Sequence, residues 1–109
     1  MDATHLVLLC TCPTMEVARE IAATLVDDDA AACVNIVPGL TSVYRWQGKT
    51  QADTELLLIV KTTDAAYRRA EETIQRLHPY ELPEIIAVPV VKGLGDYLHW
   101  MTLQTSADK

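Results

Sequence analysis

The sequence predicts an α+β fold, and three observations carry the prediction. Short runs rich in Val, Leu and Ile alternate with two stretches of helical periodicity. A Gln47-Gly48-Lys49 turn joins two of the runs directly, as in a hairpin. The chain has 109 residues, enough for one domain (residues 1–109) around one core. Half of the residues are apolar and 22% are charged, a globular balance. With four Tyr, two Trp and no Phe, the core must come from Val, Leu, Ile and Ala.

The elements follow in order. The run from His5 to Cys12 is apolar throughout and is stopped by Pro13, which predicts a short strand buried on both faces. Thr14 is placed to cap a helix, with Glu16 in its first turn. Ala18, Ile21, Ala22 and Leu25 form one apolar stripe. Asp27-Asp28-Asp29 opposes the helix dipole, so the helix should end near Val26. Residues 30–46 favour a strand interrupted by a bend or bulge at Pro38-Gly39. The return strand, residues 50–62, has the apolar centre of an interior strand.

Thr63-Asp64 opens a second helix whose inner face is Tyr67, Ala70, Ile74 and Leu77. Pro79 and Pro83 bracket a rigid extended segment. Residues 85–91 read as a strand, at a sheet edge because of Pro89. A short helix over residues 96–103 follows Gly93 and Gly95, with Cys33 expected in the core and the polar tail, residues 104–109, expected to fray. The order βαββαβ plus a terminal helix is the ferredoxin-like pattern, here with an extended β2-β3 hairpin. It predicts the first and third strands side by side and parallel, both helices on one face, and the fourth strand antiparallel to the first.

Charge and composition narrow the function. Nine basic against fifteen acidic residues give a net charge of −6, which disfavours nucleic acid and anionic membrane as partners. The apolar run at residues 6–10 has no basic segment before it and is too short for a signal peptide or a membrane span, so a cytoplasmic protein is expected. Three cysteines without a Cys-x-x-Cys spacing suggest reduced thiols. No phosphate loop, nucleophile elbow or His-Glu-x-x-His motif occurs, so no enzyme is expected.

Two groups of residues carry chemistry. Antiparallel pairing of the first and fourth strands brings Cys10 and His78 to the same end of the sheet. A thiolate and an imidazole suit copper or zinc. The competing reading makes Cys10 a small buried hydrophobe and has His78 hydrogen-bond a carbonyl at the helix end. Cys12 shares a face with Cys10 and is either a further ligand or packing. The second group is Trp46, Lys61, Tyr80, Glu81 and Glu84. It reads either as a polar pocket at a subunit cleft or as interface packing with a structural Lys61–Glu84 ion pair. The length of the hairpin, residues 30–62, leaves strand edges that three copies in a ring would cover.

Three stretches go beyond architecture. They are Ala31-Ala32-Cys33-Val34-Asn35-Ile36-Val37-Pro38-Gly39 continuing through Ser42-Val43-Tyr44-Arg45-Trp46-Gln47-Gly48-Lys49, then His78-Pro79-Tyr80-Glu81-Leu82-Pro83-Glu84-Ile85-Ile86, and Asp96-Tyr97-Leu98-His99-Trp100. In order and spacing they resemble the CutA divalent-cation tolerance proteins over residues 6–103. The resemblance implies trimers of ferredoxin-like protomers, similar to PII signalling proteins. It also implies a link to divalent-metal tolerance, copper binding included, and no agreed enzymatic activity. In the family, a Cys at the position of Cys10 and a His at the position of His78 are implicated in metal binding; some members carry two adjacent His where this chain has Leu77-His78. Two functions follow as expectations: a cytoplasmic, homotrimeric metal-response protein, for which a divalent metal is not essential to folding, or a PII-like module binding a small ligand between subunits.

Overall fold

A four-stranded sheet in the order β2-β3-β1-β4 is the frame of the molecule, with every neighbouring pair antiparallel. The computed structural model describes residues 4–106. The strands are β1 (His5–Cys12), β2 (Cys33–Trp46), β3 (Lys49–Thr63) and β4 (Ile86–Pro89); the helices are α1 (Met15–Asp27), α2 (Tyr67–Leu77) and α3 (Gly95–Gln104). This is the α+β, ferredoxin-like arrangement with the long hairpin and terminal helix that the sequence predicts.

One part of that expectation is corrected: β1 and β3 are antiparallel, not parallel. The α1 crossover makes β1 parallel to β2, but the tight hairpin returns β3 into the gap between them. A strand that is antiparallel to β2 must then be antiparallel to β1 as well. The fourth strand does run antiparallel to the first, with Leu9 opposite Ile86 and Leu6 opposite Pro89. Pro89 is tolerated there because β4 is an edge strand.

Local chemistry sets the element ends. Thr14 accepts a hydrogen bond from Val17 N–H and caps α1. α1 ends at Asp27 in a Schellman turn: Asp29 N–H donates to the Val26 carbonyl and Ala30 N–H to the Leu25 carbonyl, with Asp29 left-handed at φ 59°. Gln47 and Gly48 both have positive φ, 50° and 78°, the requirement of a two-residue type I′ hairpin turn. The β2 register slips between Val37 and Leu40, at the predicted Pro38-Gly39 interruption. α2 begins at Tyr67 because residues 64–66 form a separate turn, in which Thr63 Oγ1 accepts from Ala66 N–H. β4 is also shorter than expected, and Val91 lies beyond it, 86% exposed.

Strand alternation sorts the side chains onto two faces. Leu8, Cys10, Cys12, Leu56, Leu58 and Val60 face α1 and α2 and form the core with Ala18, Ile21, Leu25, Ala70 and Ile74. The opposite face carries Val7, Leu9, Leu57, Ile59, Ile86 and Val88, none of them fully buried. Both faces of β1 are thus apolar, as predicted, but only one is closed. Cys33 pairs with Lys61 on this second face and is half-buried beside Tyr97, so it is not a core residue.

α3 fastens to the far ends of β1 and β3. Thr102 Oγ1 meets His5 Nε2 at 2.9 Å, and Thr105 Oγ1 meets Thr63 Oγ1 at 3.1 Å. Arg69 donates to the carbonyls of both Asp29 and Thr105. The polar tail is therefore held as far as Thr105, which is buried, rather than frayed from Gln104. The remainder of the expected tail, residues 107–109, and the start of the chain, residues 1–3, lie outside the described residues. Among the described residues, no helix is long and apolar enough to cross a membrane.

Candidate functional site

Cys10, Cys12 and His78 converge at one end of the closed face. The two cysteines are two residues apart on β1, so their side chains leave the strand on the same side. His78 is the C-cap of α2, and its own N–H donates to the Ile74 carbonyl, which fixes where the ring starts. One potential ligand atom from each of the three residues lies within 4.8 Å of the other two. The cysteines are 0% exposed and His78 is 7% exposed.

The imidazole is committed on both sides. Tyr80 N–H can only donate, so Nδ1 accepts from it at 3.2 Å; Nε2 then carries the proton and donates to the Thr11 carbonyl at 2.8 Å. The Tyr80 ring lies against the His78 ring at a centroid distance of 4.6 Å. The expected carbonyl partner of His78 thus exists, and it belongs to β1. To ligate a metal, the ring would release one of these two bonds. The Cys10 thiol donates to the Thr11 carbonyl at 3.7 Å. The adjacent Cys12 sulfur, then burial and the Glu84 and Glu55 carboxylates, push it well above the ordinary thiol range.

This donor set fits a thiophilic metal: two sulfurs and one nitrogen, shielded from water, with no hard oxygen donor among the three. A bound ion would supply positive charge between β1 and the end of α2, and Cys10 and His78 would hold it. Cys10 and His78, read from sequence as the candidate ligands, are brought together. Cys12, read there as ligand or packing, stands with them.

The second group divides. Trp46, Tyr80, Glu81 and Glu84 line a groove of about 830 Å³ with Thr11, Glu55 and Ile86 among its other walls. One wall is the hairpin near its turn and the other is the extended segment after α2. Tyr80 spans the groove's inner end, where its hydroxyl donates to Glu55 Oε2 at 2.9 Å. Burial, and then that hydrogen bond, push the Tyr80 phenol above its usual range. Beside it, the Tyr44 hydroxyl donates to the Asp53 carboxylate.

Lys61 does not line this groove. It pairs with Val7 in register and donates to the Asn35 side-chain oxygen, whereas Glu84 lies beyond the Leu9–Ile86 pair at the other end of β1. The expected Lys61–Glu84 ion pair is corrected accordingly: register separates the two along the strands. Glu55 was not read from the sequence as a site residue, although it is 6% exposed. The available signal was its place two residues before Leu57, on the same face of an apolar strand. A carboxylate there needs a partner, and Tyr80 provides one.

Comparison with known proteins places the chain. A family profile described as "CutA1 divalent ion tolerance protein" matches residues 6–104. The divalent-cation tolerance protein CutA of Thermus thermophilus is 54% identical over 99 residues, covering 91% of this chain and 96% of that protein. Mouse protein CutA is 45% identical over 91 residues, but the aligned part is only 51% of its length. Among solved structures, the Thermus thermophilus protein superposes with a TM-score of 0.92 at 53% identity, covering 94% of this chain and 99% of its own. CutA from Xylella fastidiosa gives a TM-score of 0.91 at 40% identity, covering 96% and 100%. The chain belongs to the CutA1 divalent ion tolerance family.

Proposed function

We propose that this protein is a cytoplasmic homotrimer that takes part in divalent-cation tolerance by binding a thiophilic metal, copper or an ion of similar preference, through Cys10 and His78. Family membership supports the link to divalent cations. The observation that carries the ligand assignment is the meeting of Cys10 and His78 within 4.8 Å in a site nearly closed to water. Low water access strengthens each metal–ligand bond relative to hydration, and the hydrogen bonds of His78 orient its ring.

Trimer formation is supported by the open face of the sheet. Val37, Ile86 and Val88 are 41%, 52% and 47% exposed, and they continue the apolar row of Leu9, Leu57 and Ile59. A contiguous apolar face of this kind is normally covered by protein. Trp46, 48% exposed at the hairpin, is the natural anchor of such a contact. The groove favours a neighbouring protomer over a small anion or nucleotide as its occupant. Glu55, Glu81 and Glu84 outweigh Arg45 along its walls, which repels anions.

The test is a titration of reduced protein with copper and other divalent metals. Cys10→Ser and His78→Ala should each weaken binding by at least about tenfold, because each removes a donor. Cys33→Ala, on the other face of the sheet, is the control and should bind like the parent. Equal binding by all three variants would contradict the reading.

A further inference from the structure

Cys12 has no role in the function proposed above, yet it is the third member of the cluster. As a small hydrophobe it is replaceable by Ala or Val without loss of polarity at the site. What sets it apart is direction. Leu8, Cys10 and Cys12 all face the helices, and the sulfurs of the two cysteines lie within 4.8 Å of a His78 ring nitrogen. Successive same-side residues on a strand have Cα atoms about 6.6 Å apart. The ligand atoms nevertheless close to within 4.8 Å, so the two side chains lean toward one another.

We propose that Cys12 is a metal ligand in its own right, so that the site is a Cys2His set matched to a thiophilic divalent cation of the zinc and cadmium class. The inference rests on the Cys10–His78 metal reading and adds the third donor and the preferred ion. Three arguments support it.

The first is geometric. A metal held about 2.3 Å from each of two sulfurs in trigonal or tetrahedral coordination sets them about 4 Å apart. The three ligand atoms lie within 4.8 Å of one another, close to that spacing. The second is charge. Two thiolates and a neutral imidazole carry two negative charges, which a divalent ion cancels. Neutrality matters here because the cysteines are 0% exposed. A Cys10–His78 pair alone would leave a divalent ion with a net positive charge in the same closed site. The third is softness. Two sulfurs and one imidazole discriminate against manganese, magnesium and calcium, which take oxygen donors in larger shells. The remaining position of a four-coordinate ion falls to an oxygen donor, either water or the Thr11 carbonyl that His78 releases when it turns to the metal.

Binding releases protons in a countable way. Each thiol gives up one proton as its sulfur takes the metal, and the imidazole gives none because it enters neutral. A Cys2His site therefore releases about two protons per ion, and a Cys10–His78 site about one.

The experiment uses the reduced, tag-free full chain under anaerobic conditions, titrated with Cd(II) alone and with Mn(II) alone. Three quantities are read: affinity by chelator competition, protons released per ion, and the ultraviolet sulfur-to-cadmium charge-transfer band, which scales with the number of bound thiolates. The parent should release about two protons per Cd(II). Cys12→Ala should release about one, show half the charge-transfer intensity and bind at least about 100-fold more weakly, with a smaller preference for Cd(II) over Mn(II). Cys33→Ala should match the parent. If Cys12→Ala binds Cd(II) as tightly as the parent with an unchanged sulfur band, Cys12 only packs, and the Cys10–His78 reading survives without it. If the parent binds no Cd(II), the Cys2His set is overturned, while the Cys10–His78 reading stands or falls on the copper titration of its own variants. Should Cys12→Ala fail to fold, the parent decides: a single proton and a single-thiolate band would overturn the proposal.

Discussion

The two faces of the sheet are built from the same strands and nearly the same residue types, but they end in different states. On the closed face, Leu8, Leu58 and Val60 are completely buried under α1 and α2. On the open face, Leu9, Leu57 and Ile59 are half-buried, and Ile86 and Val88 keep about half of their surface. The closed face is finished within one chain, and it holds the sulfur–imidazole cluster. The open face, with the groove at its end, is only partly covered by its own chain. Apolar character alone therefore does not fix burial; topology decides which apolar face the chain itself covers.

If that contrast is right, substitutions on the two faces should fail differently. The largest effect is expected on the closed face. Leu58→Ala leaves a cavity at the centre of the core and should cost about 2–5 kcal/mol, seen as a lower urea midpoint at fixed protein concentration. Trp46→Ala should act on assembly instead. A loss of about 2 kcal/mol of association is expected, so the variant should dissociate on dilution in analytical ultracentrifugation while its far-ultraviolet circular dichroism stays that of the parent. A Trp46→Ala protein that stays fully assembled at nanomolar concentration would remove the distinction between the faces.

Tyr80→Phe sharpens the comparison, because Tyr80 links the two regions: its N–H bonds His78 on one side and its hydroxyl bonds Glu55 on the other. Losing the hydroxyl should cost about 1 kcal/mol, measured by denaturation at neutral pH. It should also alter the alkaline limb. The folded phenol titrates above its ordinary range, so its contribution is complete below a pH of about 10, the unfolded value, and is lost as the pH rises toward the folded one. The parent should therefore lose more stability than Tyr80→Phe between neutral pH and strongly alkaline solution. The smallest effect is expected at the hairpin turn, where the change is confined to backbone conformation. Gln47 holds a positive φ that Asn accepts more readily, so Gln47→Asn should raise stability by about 0.5 kcal/mol, seen as a small rise in Tm.

What could be read in the sequence follows the range of the interactions. Elements set by local chemistry were legible: the Thr14 cap, the Pro38-Gly39 bulge, the Gln47-Gly48 turn and the edge placement of Pro89. The meeting of Cys10 with His78 was legible because it needed only the pairing of β1 with β4. The direction of β3 against β1 was legible as well: the α1 crossover makes β1 parallel to β2 and the hairpin makes β3 antiparallel to β2, so the parallel expectation contradicted the element order itself. The Lys61–Glu84 pair failed for a different reason: charge complementarity was visible, but the register that separates the two residues was not. Glu55 escaped notice because its partner, Tyr80, is 25 residues away in sequence. Cys33 had the right residue type for the core but the wrong parity on β2, and a bulged strand whose start is uncertain hides parity.

The most direct test of a closed face that binds and an open face that assembles is native mass spectrometry of the untagged protein, sprayed without metal and after addition of one equivalent of Cd(II). The 12.1 kDa chain should appear as an assembly of three copies in both samples, and the second should gain one Cd(II) per chain. A monomer in both samples, with no metal retained, would contradict the account.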